Sequence, residues 1–158
     1  MPAIKFNELT ARDAHQSLWA TRMNNEDVLK TVRINAKAGF NALEVWGGAT
    51  FDVAMRFLDE NPWDNLRNIK QAVRESALED GVPETPLMML LRGQSLVGYK
   101  NYPDDVVKAF VRSSAENGMN IFRIFDGLND TRNLATAINE VKSCQVEGMN
   151  VVAQGTIC

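Results

Sequence analysis

The chain has 158 residues, 45% hydrophobic and 23% charged, with a net charge of −3. That length suits one domain with a sizeable core, and a weak negative charge without a basic cluster argues against nucleic-acid or anionic-membrane partners. No apolar run approaches the roughly 20 residues that span a bilayer, and the first residues lack the apolar core of a secretory signal. The cysteines, Cys144 and Cys158, form no CxxC pair and no disulfide framework, so a reducing cytoplasm is the expected setting.

A short apolar segment, Ile4-Lys5-Phe6, reads as a first strand. It leads into Arg12-Asp13-Ala14-His15-Gln16-Ser17, which places a cation, an anion, an imidazole, an amide and a hydroxyl at a strand end. Asn24 or Asn25 caps the first long helix, with Glu26 and Asp27 favouring the positive end of its dipole. Val28, Val32 and Ala36 form its apolar face, and Gly39 is its natural stop. Ala42 to Trp46 reads as a strand closed by Gly47-Gly48. Asn61-Pro62 starts the next helix, with Leu66, Ile69 and Val73 inside. The acidic, Pro-bearing stretch from Glu79 to Thr85 is a surface connection. Leu87 to Leu91 is an unbroken apolar run, as in parallel sheets covered on both faces. Pro103 opens a helix facing inward through Val106, Val107, Phe110 and Val111. Ile121 to Phe125 is a fourth strand ending in Asp126-Gly127. Asp130 caps a helix that carries Leu134, Ala137, Ile138 and Val141, with Cys144 an inert helix residue. Val151 to Thr156 is a fifth strand.

Strand starts near residues 4, 42, 87, 120 and 150 leave spacings of about 38, 45, 33 and 30 residues, which fit β-α units. Two architectures remain, an open doubly wound sheet and a (β/α)8 barrel. Polar or Gly-bearing residues at every strand's C-terminal end favour the barrel, because an open sheet concentrates its site at one switch point. The expected fold class is therefore α/β, a partial (β/α)8 TIM barrel with about five parallel strands and four main helices. A full barrel takes about 250 residues, so this one is incomplete, and residues 1–158 are expected to be the N-terminal part of a larger domain or to find a partner.

The strand ends supply the candidate chemistry. Asp13 is a candidate metal ligand; the alternative is a helix cap or a partner for Arg12. Arg12 can steady an oxyanion, and Gln16 can donate to a carbonyl or enolate oxygen. His15 is the lone histidine and is read as structural. Arg92 ends an apolar strand, so its guanidinium must be paired or face a polar cavity, where it can fork onto a substrate carboxylate. Tyr99 lies in the loop beyond it and can enter the same space. Asp52 is placed in a loop or first helical turn, and Asp126 repeats the position of Asp13; helix caps are the alternatives. Trp46 and Trp63 are read as packing. No GxGxxG or GxxxxGK[ST] supports a nucleotide site.

Four stretches, RDAHQSLWATRM, LEVWGGATFDVAMRFL with its following NPW, MLLRGQSLVGY and FRIFDGLND, resemble the carboxyltransferase family of biotin-dependent enzymes. The resemblance covers Arg12 to Cys158. It implies a (β/α)8 barrel that moves CO2 between carboxybiotin and pyruvate or oxaloacetate, at a divalent metal (zinc, cobalt or manganese). Carried over by motif, it implies that Asp13 is a metal ligand and that Arg12 and Gln16 lie at the reacting atoms. It implies further that Arg92 and Tyr99 bind pyruvate, that Asp52 supports them, and that Asp126 lies beside the site. The remaining metal ligands of the family, a modified lysine and a His-x-His pair, come from later strands and have no counterpart before Cys158. The implied partners are a biotin carboxyl carrier domain or subunit and a second copy joined through the barrel. No Ala-Met-Lys-Met biotin acceptor is present, so biotin would be carried elsewhere, and these residues alone are expected to be inactive. Two alternatives stay open. One is a non-catalytic partial-barrel assembly module. The other is an aldol-type metal-dependent barrel lyase acting on an acyl-CoA.

Overall fold

Two apolar runs set the frame of the computed structural model, which describes residues 4–158. They are β2 (Ala42–Gly47), with every residue buried, and β3 (Leu87–Leu91). Around them stand β1 (Asn7–Glu8), β4 (Ile121–Ile124) and β5 (Val152–Gly155). All neighbours are parallel, in the order β1-β2-β3-β4-β5. Each crossover steps in the same direction, so among the described residues the order never reverses and no switch point exists. This is the winding of a (β/α)8 barrel, here with five strands and an open sheet edged by β1 and β5. The expected domain span starts at residue 1, and its first three residues lie outside those described.

The long helices begin and end where their capping chemistry lies. In α2 (Asn25–Asn35) the Asn24 side chain accepts the Asp27 N–H at 2.9 Å. In α4 (Pro62–Asp80) the Asn61 carboxamide accepts the Trp63 N–H at 3.0 Å, and Gly81 closes the helix at φ +64°. The helices α5 (Asp104–Glu116) and α6 (Arg132–Val146) complete the outer layer. The Asp130 carboxylate accepts the Arg132 N–H at 3.0 Å, so it caps α6 from two residues ahead. Leu87, Met89 and Leu91 face these helices, together with Phe122 and Ile124. Trp46 sits in an aromatic cluster with Phe51, Trp63 and Phe110, its centroid 5.4 Å from Trp63, so both tryptophans pack.

Three local expectations change. The first strand pairs through Asn7–Glu8, not Ile4 to Phe6. The sheet reaches that segment only at its end, where the Phe6 carbonyl accepts the Asn41 N–H, and Ile4 and Phe6 remain exposed. Two further helices join the four: α1 (His15–Trp19), after a π-helical turn over Thr10–Ala14, and α3 (Gly48–Phe57). The pair Gly47-Gly48 reads as a stop, yet Gly48 opens α3. A Cβ there would meet the Leu96 carbonyl oxygen at 2.6 Å, so glycine is needed for close approach of two segments and not for a turn.

Candidate active site

Chain polarity puts the C-terminal ends of the strands on one side of the sheet, and a cleft of about 280 Å³ opens there. Each strand tip except that of β5 contributes to its lining. Arg12 and Gln16 come from the segment after β1, and Gly47, Gly48, Asp52 and Arg56 from the β2–α3 junction. Leu90, Arg92 and Tyr99 come from β3 and its loop, and Phe125 from the end of β4. Five of the expected residues, Arg12, Gln16, Asp52, Arg92 and Tyr99, thus meet in one place. Gly48 lets the Leu96–Val97 segment close against α3, which fixes the wall carrying Arg92 and Tyr99.

Arg92 is exposed to this cleft. It donates to the Gly98 carbonyl at 3.3 Å and lies over the Tyr99 ring, 5.9 Å from its centroid. Among the described residues no carboxylate pairs with it. Asp52 sits in the second turn of α3, later than expected, and pairs with Arg56 at 2.9 Å. The cleft thus has two arginines already matched by acids, Arg56 and Arg12, and one that is not. Arg12 is buried and committed on two sides, to Asp13 at 2.9 Å and to Glu44 at 2.5 Å.

Two expected residues do not line the cleft. Asp13 adjoins it through Arg12, with its side chain 54% exposed. Its Oδ2 accepts no hydrogen bond among the described residues. A zinc-type site takes three or four protein ligands. Among the described residues no three His, Cys, Asp or Glu side chains stand close enough to hold an ion. Asp13 offers one oxygen, so the described residues do not form a metal site by themselves. Asp126 turns into its own loop. Its Oδ2 accepts the N–H groups of Leu128 and Asp130, each at 2.9 Å, and its Oδ1 accepts the Asn133 amide at 3.0 Å. The Asp130 N–H, then Asn133 and the Leu128 N–H, hold its carboxyl below the usual range. Those donors make Asp126 the clasp of the β4–α6 connection.

The residues that sequence reading missed lie beneath the cleft. Glu44, in the middle of β2, is fully buried. It binds Arg12 on one side and Arg123 of β4 on the other, with Arg123 Nε to Oε2 at 2.7 Å. One signal was present: a charge inside an unbroken buried strand must be paired. Glu44 in Leu-Glu-Val-Trp and Arg123 in Phe-Arg-Ile-Phe both carry it.

His15 is structural, as read. Its Nε2 accepts the Met23 N–H at 2.7 Å, so the proton sits on Nδ1, 3.3 Å from the Ala11 carbonyl. Burial lowers its pKa below 6.5, outweighing the Ala11 and Thr21 carbonyl contacts that raise it. Because the folded value is the lower one, the unfolded chain takes up the proton first. Stability is therefore full above the unfolded value and falls as pH drops below about 6.5. The urea midpoint should decline over that range, and His15→Gln should flatten the decline. An equal slope in both proteins would count against this assignment.

Known proteins resemble this chain in sequence and in fold. A pyruvate carboxylase chain of Methanocaldococcus jannaschii is 50% identical over 155 residues, 98% of this chain and 25% of its own length. The methylmalonyl-CoA carboxyltransferase 5S subunit of Propionibacterium freudenreichii is 47% identical over 155 residues, 28% of its length. The carboxyl transferase domain of Rhizobium etli pyruvate carboxylase, solved with pyruvate, superposes with a TM-score of 0.84 at 41% identity. It is matched over all of this chain and 25% of that one. The chain is homologous to carboxyltransferase chains of the pyruvate carboxylase type. It spans about a quarter of the length of these relatives. No protein-family model matches it.

Proposed function

We propose that residues 1–158 form the N-terminal part of a biotin-dependent carboxyltransferase barrel, which moves CO2 between carboxybiotin and pyruvate or oxaloacetate. The observation that carries this reading is the unmatched guanidinium of Arg92, facing a cleft that Arg12 and Gln16 also line. A guanidinium fork suits one planar carboxylate. With the pyruvate carboxylate on Arg92, its keto oxygen has N–H donors available from Arg12 and Gln16. Loss of a methyl proton builds negative charge on that oxygen, where fixed donors count most. The carbanion then takes the carboxyl group from carboxybiotin, and the proton ends on the biotin nitrogen. Tyr99 stacks beside Arg92 and lends its hydroxyl at the mouth, and Asp52 holds α3 through Arg56.

Asp13 is the one carboxylate this part offers to a divalent ion (zinc, cobalt or manganese), so turnover is expected only with the rest of the barrel present. Biotin arrives on a carrier domain or subunit. The open edges at β1 and β5 suit either that remainder or a second copy. Among the described residues no helix is long and apolar enough to cross a membrane. The unpaired cysteines suit a reducing cytoplasm.

The test is oxaloacetate decarboxylation by the full-length protein in the presence of biotin, beside pyruvate titration of the same protein followed by NMR of its arginine Nε–H signals. The reading predicts biotin-stimulated turnover and a pyruvate-induced shift at Arg92. Pyruvate that leaves every cleft signal in place would overturn it. A clean monomer of residues 1–158 at all concentrations would weigh against the alternative of an assembly module.

A further inference from the structure

Arg123 is absent from the cleft wall, yet its position bears on what the wall can do. It stands in β4 level with Leu90 of β3, which lines the cleft, and with Gln154 of β5. From there its guanidinium reaches across β3 to Glu44. Nε donates to Oε2 at 2.7 Å and Nη2 to Oε1 at 2.9 Å, a two-point grip. Arg12 meets the same carboxylate through Nε at 2.6 Å and Nη2 at 2.5 Å, both on Oε1. Of the five N–H bonds of Arg12, two go to Glu44 and one to Asp13. One N–H on each terminal nitrogen is left for the cleft.

We propose that Arg123 is a positioning residue, which fixes the Glu44 carboxylate and thereby the plane and net charge of the Arg12 guanidinium. This rests on the carboxyltransferase reading for its chemistry. Two physical effects act together. A carboxylate held by one arginine can turn about its own bond and carry that arginine with it, whereas a second fork pins it. Charge matters as well. With Arg123 in place, Arg12, Glu44 and Arg123 sum to +1, so Glu44 does not fully cancel the cation offered to a developing oxyanion. Without Arg123 the sum is zero; counting Asp13, which pairs with Arg12 in both cases, the neighbourhood goes from neutral to negative. Arg92 stands outside this group, so carboxylate binding is separate from oxyanion stabilisation.

Arg123→Met and Arg123→Lys in the full-length protein test this. The methionine variant should lose about 10- to 100-fold in kcat for oxaloacetate decarboxylation, less than the roughly 100- to 1,000-fold of an oxyanion donor removed outright, because Arg12 is displaced and not deleted. KM should stay within about threefold, because Arg92 is untouched. Lysine restores the charge without the fork, so it should recover part of kcat. The Arg12 Nε–H NMR signal should broaden in Arg123→Met while that of Arg92 stays in place. Unchanged kcat, or kcat and KM changing in step without rescue by lysine, would overturn the proposal. If Arg123→Met fails to fold, Arg123→Lys alone decides: full kcat refutes the role, and reduced kcat at unchanged KM supports it. If the wild-type protein shows no decarboxylation, the carboxyltransferase reading fails, and a sharp Arg12 signal in Arg123→Met would still refute the positioning role on its own.

Discussion

Arg92→Ala should weaken pyruvate binding by about 10- to 150-fold, the worth of roughly 1.5–3 kcal/mol for hydrogen bonds to a charged group. Charge matching sets the size of this loss. Among the cleft's arginines, Arg12 is bound by Asp13 and Glu44 and Arg56 by Asp52, whereas Arg92 meets only the Gly98 carbonyl and the Tyr99 ring. An arginine without an acid partner at a cleft is the group whose removal a small carboxylate will register. The fold should register it little. Arg92 is exposed and its one hydrogen bond is long, so stability should change by no more than about 0.5 kcal/mol. Lysine should recover only part of the affinity, since a point charge lacks the planar fork. Raising salt should weaken wild-type binding and leave the alanine variant less affected, because the guanidinium lies open to screening. Calorimetric titration with pyruvate, beside urea unfolding of the same samples, separates the two effects. Equal affinity in wild type and Arg92→Ala would remove the carboxylate clamp from the reading.

The parts of this molecule that were legible in sequence are those set by local chemistry. Asn24, Asn61 and Gly81 announce helix ends because each satisfies backbone groups next to it in the chain. The run Leu87 to Leu91 announces a strand covered on both faces. Polar strand tips announce a shared cleft, since parallel strands deliver all their C-terminal ends to one side. What stayed hidden depends on residues far apart. Gly48 looks like a turn until the Leu96 carbonyl, 48 positions later, is seen to need its missing Cβ. Asp126 looks like Asp13 until two donors from its own loop and Asn133 of α6 close on it. Glu44 and Arg123 are 79 residues apart, and no spacing rule joins them. Only the parallel register across β2, β3 and β4 brings them together.

Glu44→Ala is expected to cost about 3–5 kcal/mol of folding stability, the penalty for removing one partner from a buried ionic group. The figure depends on what remains. The Arg12 side chain is 6% exposed, so without Glu44 it would keep only Asp13 beside it. Arg123 is 27% exposed and can turn partly toward water, so most of the penalty falls on Arg12. Glu44→Gln keeps the volume and one acceptor but turns an amide NH2 toward two arginines, so it should fall between alanine and wild type. An apolar replacement of all three, Arg12→Met with Glu44→Leu and Arg123→Met, should unfold at a urea concentration close to that of wild type. Buried ion groups often add little net stability over well-packed apolar side chains. That triple variant should nevertheless lose the oxyanion chemistry, since it removes the cation that Glu44 holds in the cleft. A chain that keeps its fold and loses its chemistry would show that the group is retained for the charge it presents. A loss under about 1 kcal/mol in Glu44→Ala would mean that water reaches the arginines readily, and the pinning of Arg12 would then lose its physical basis.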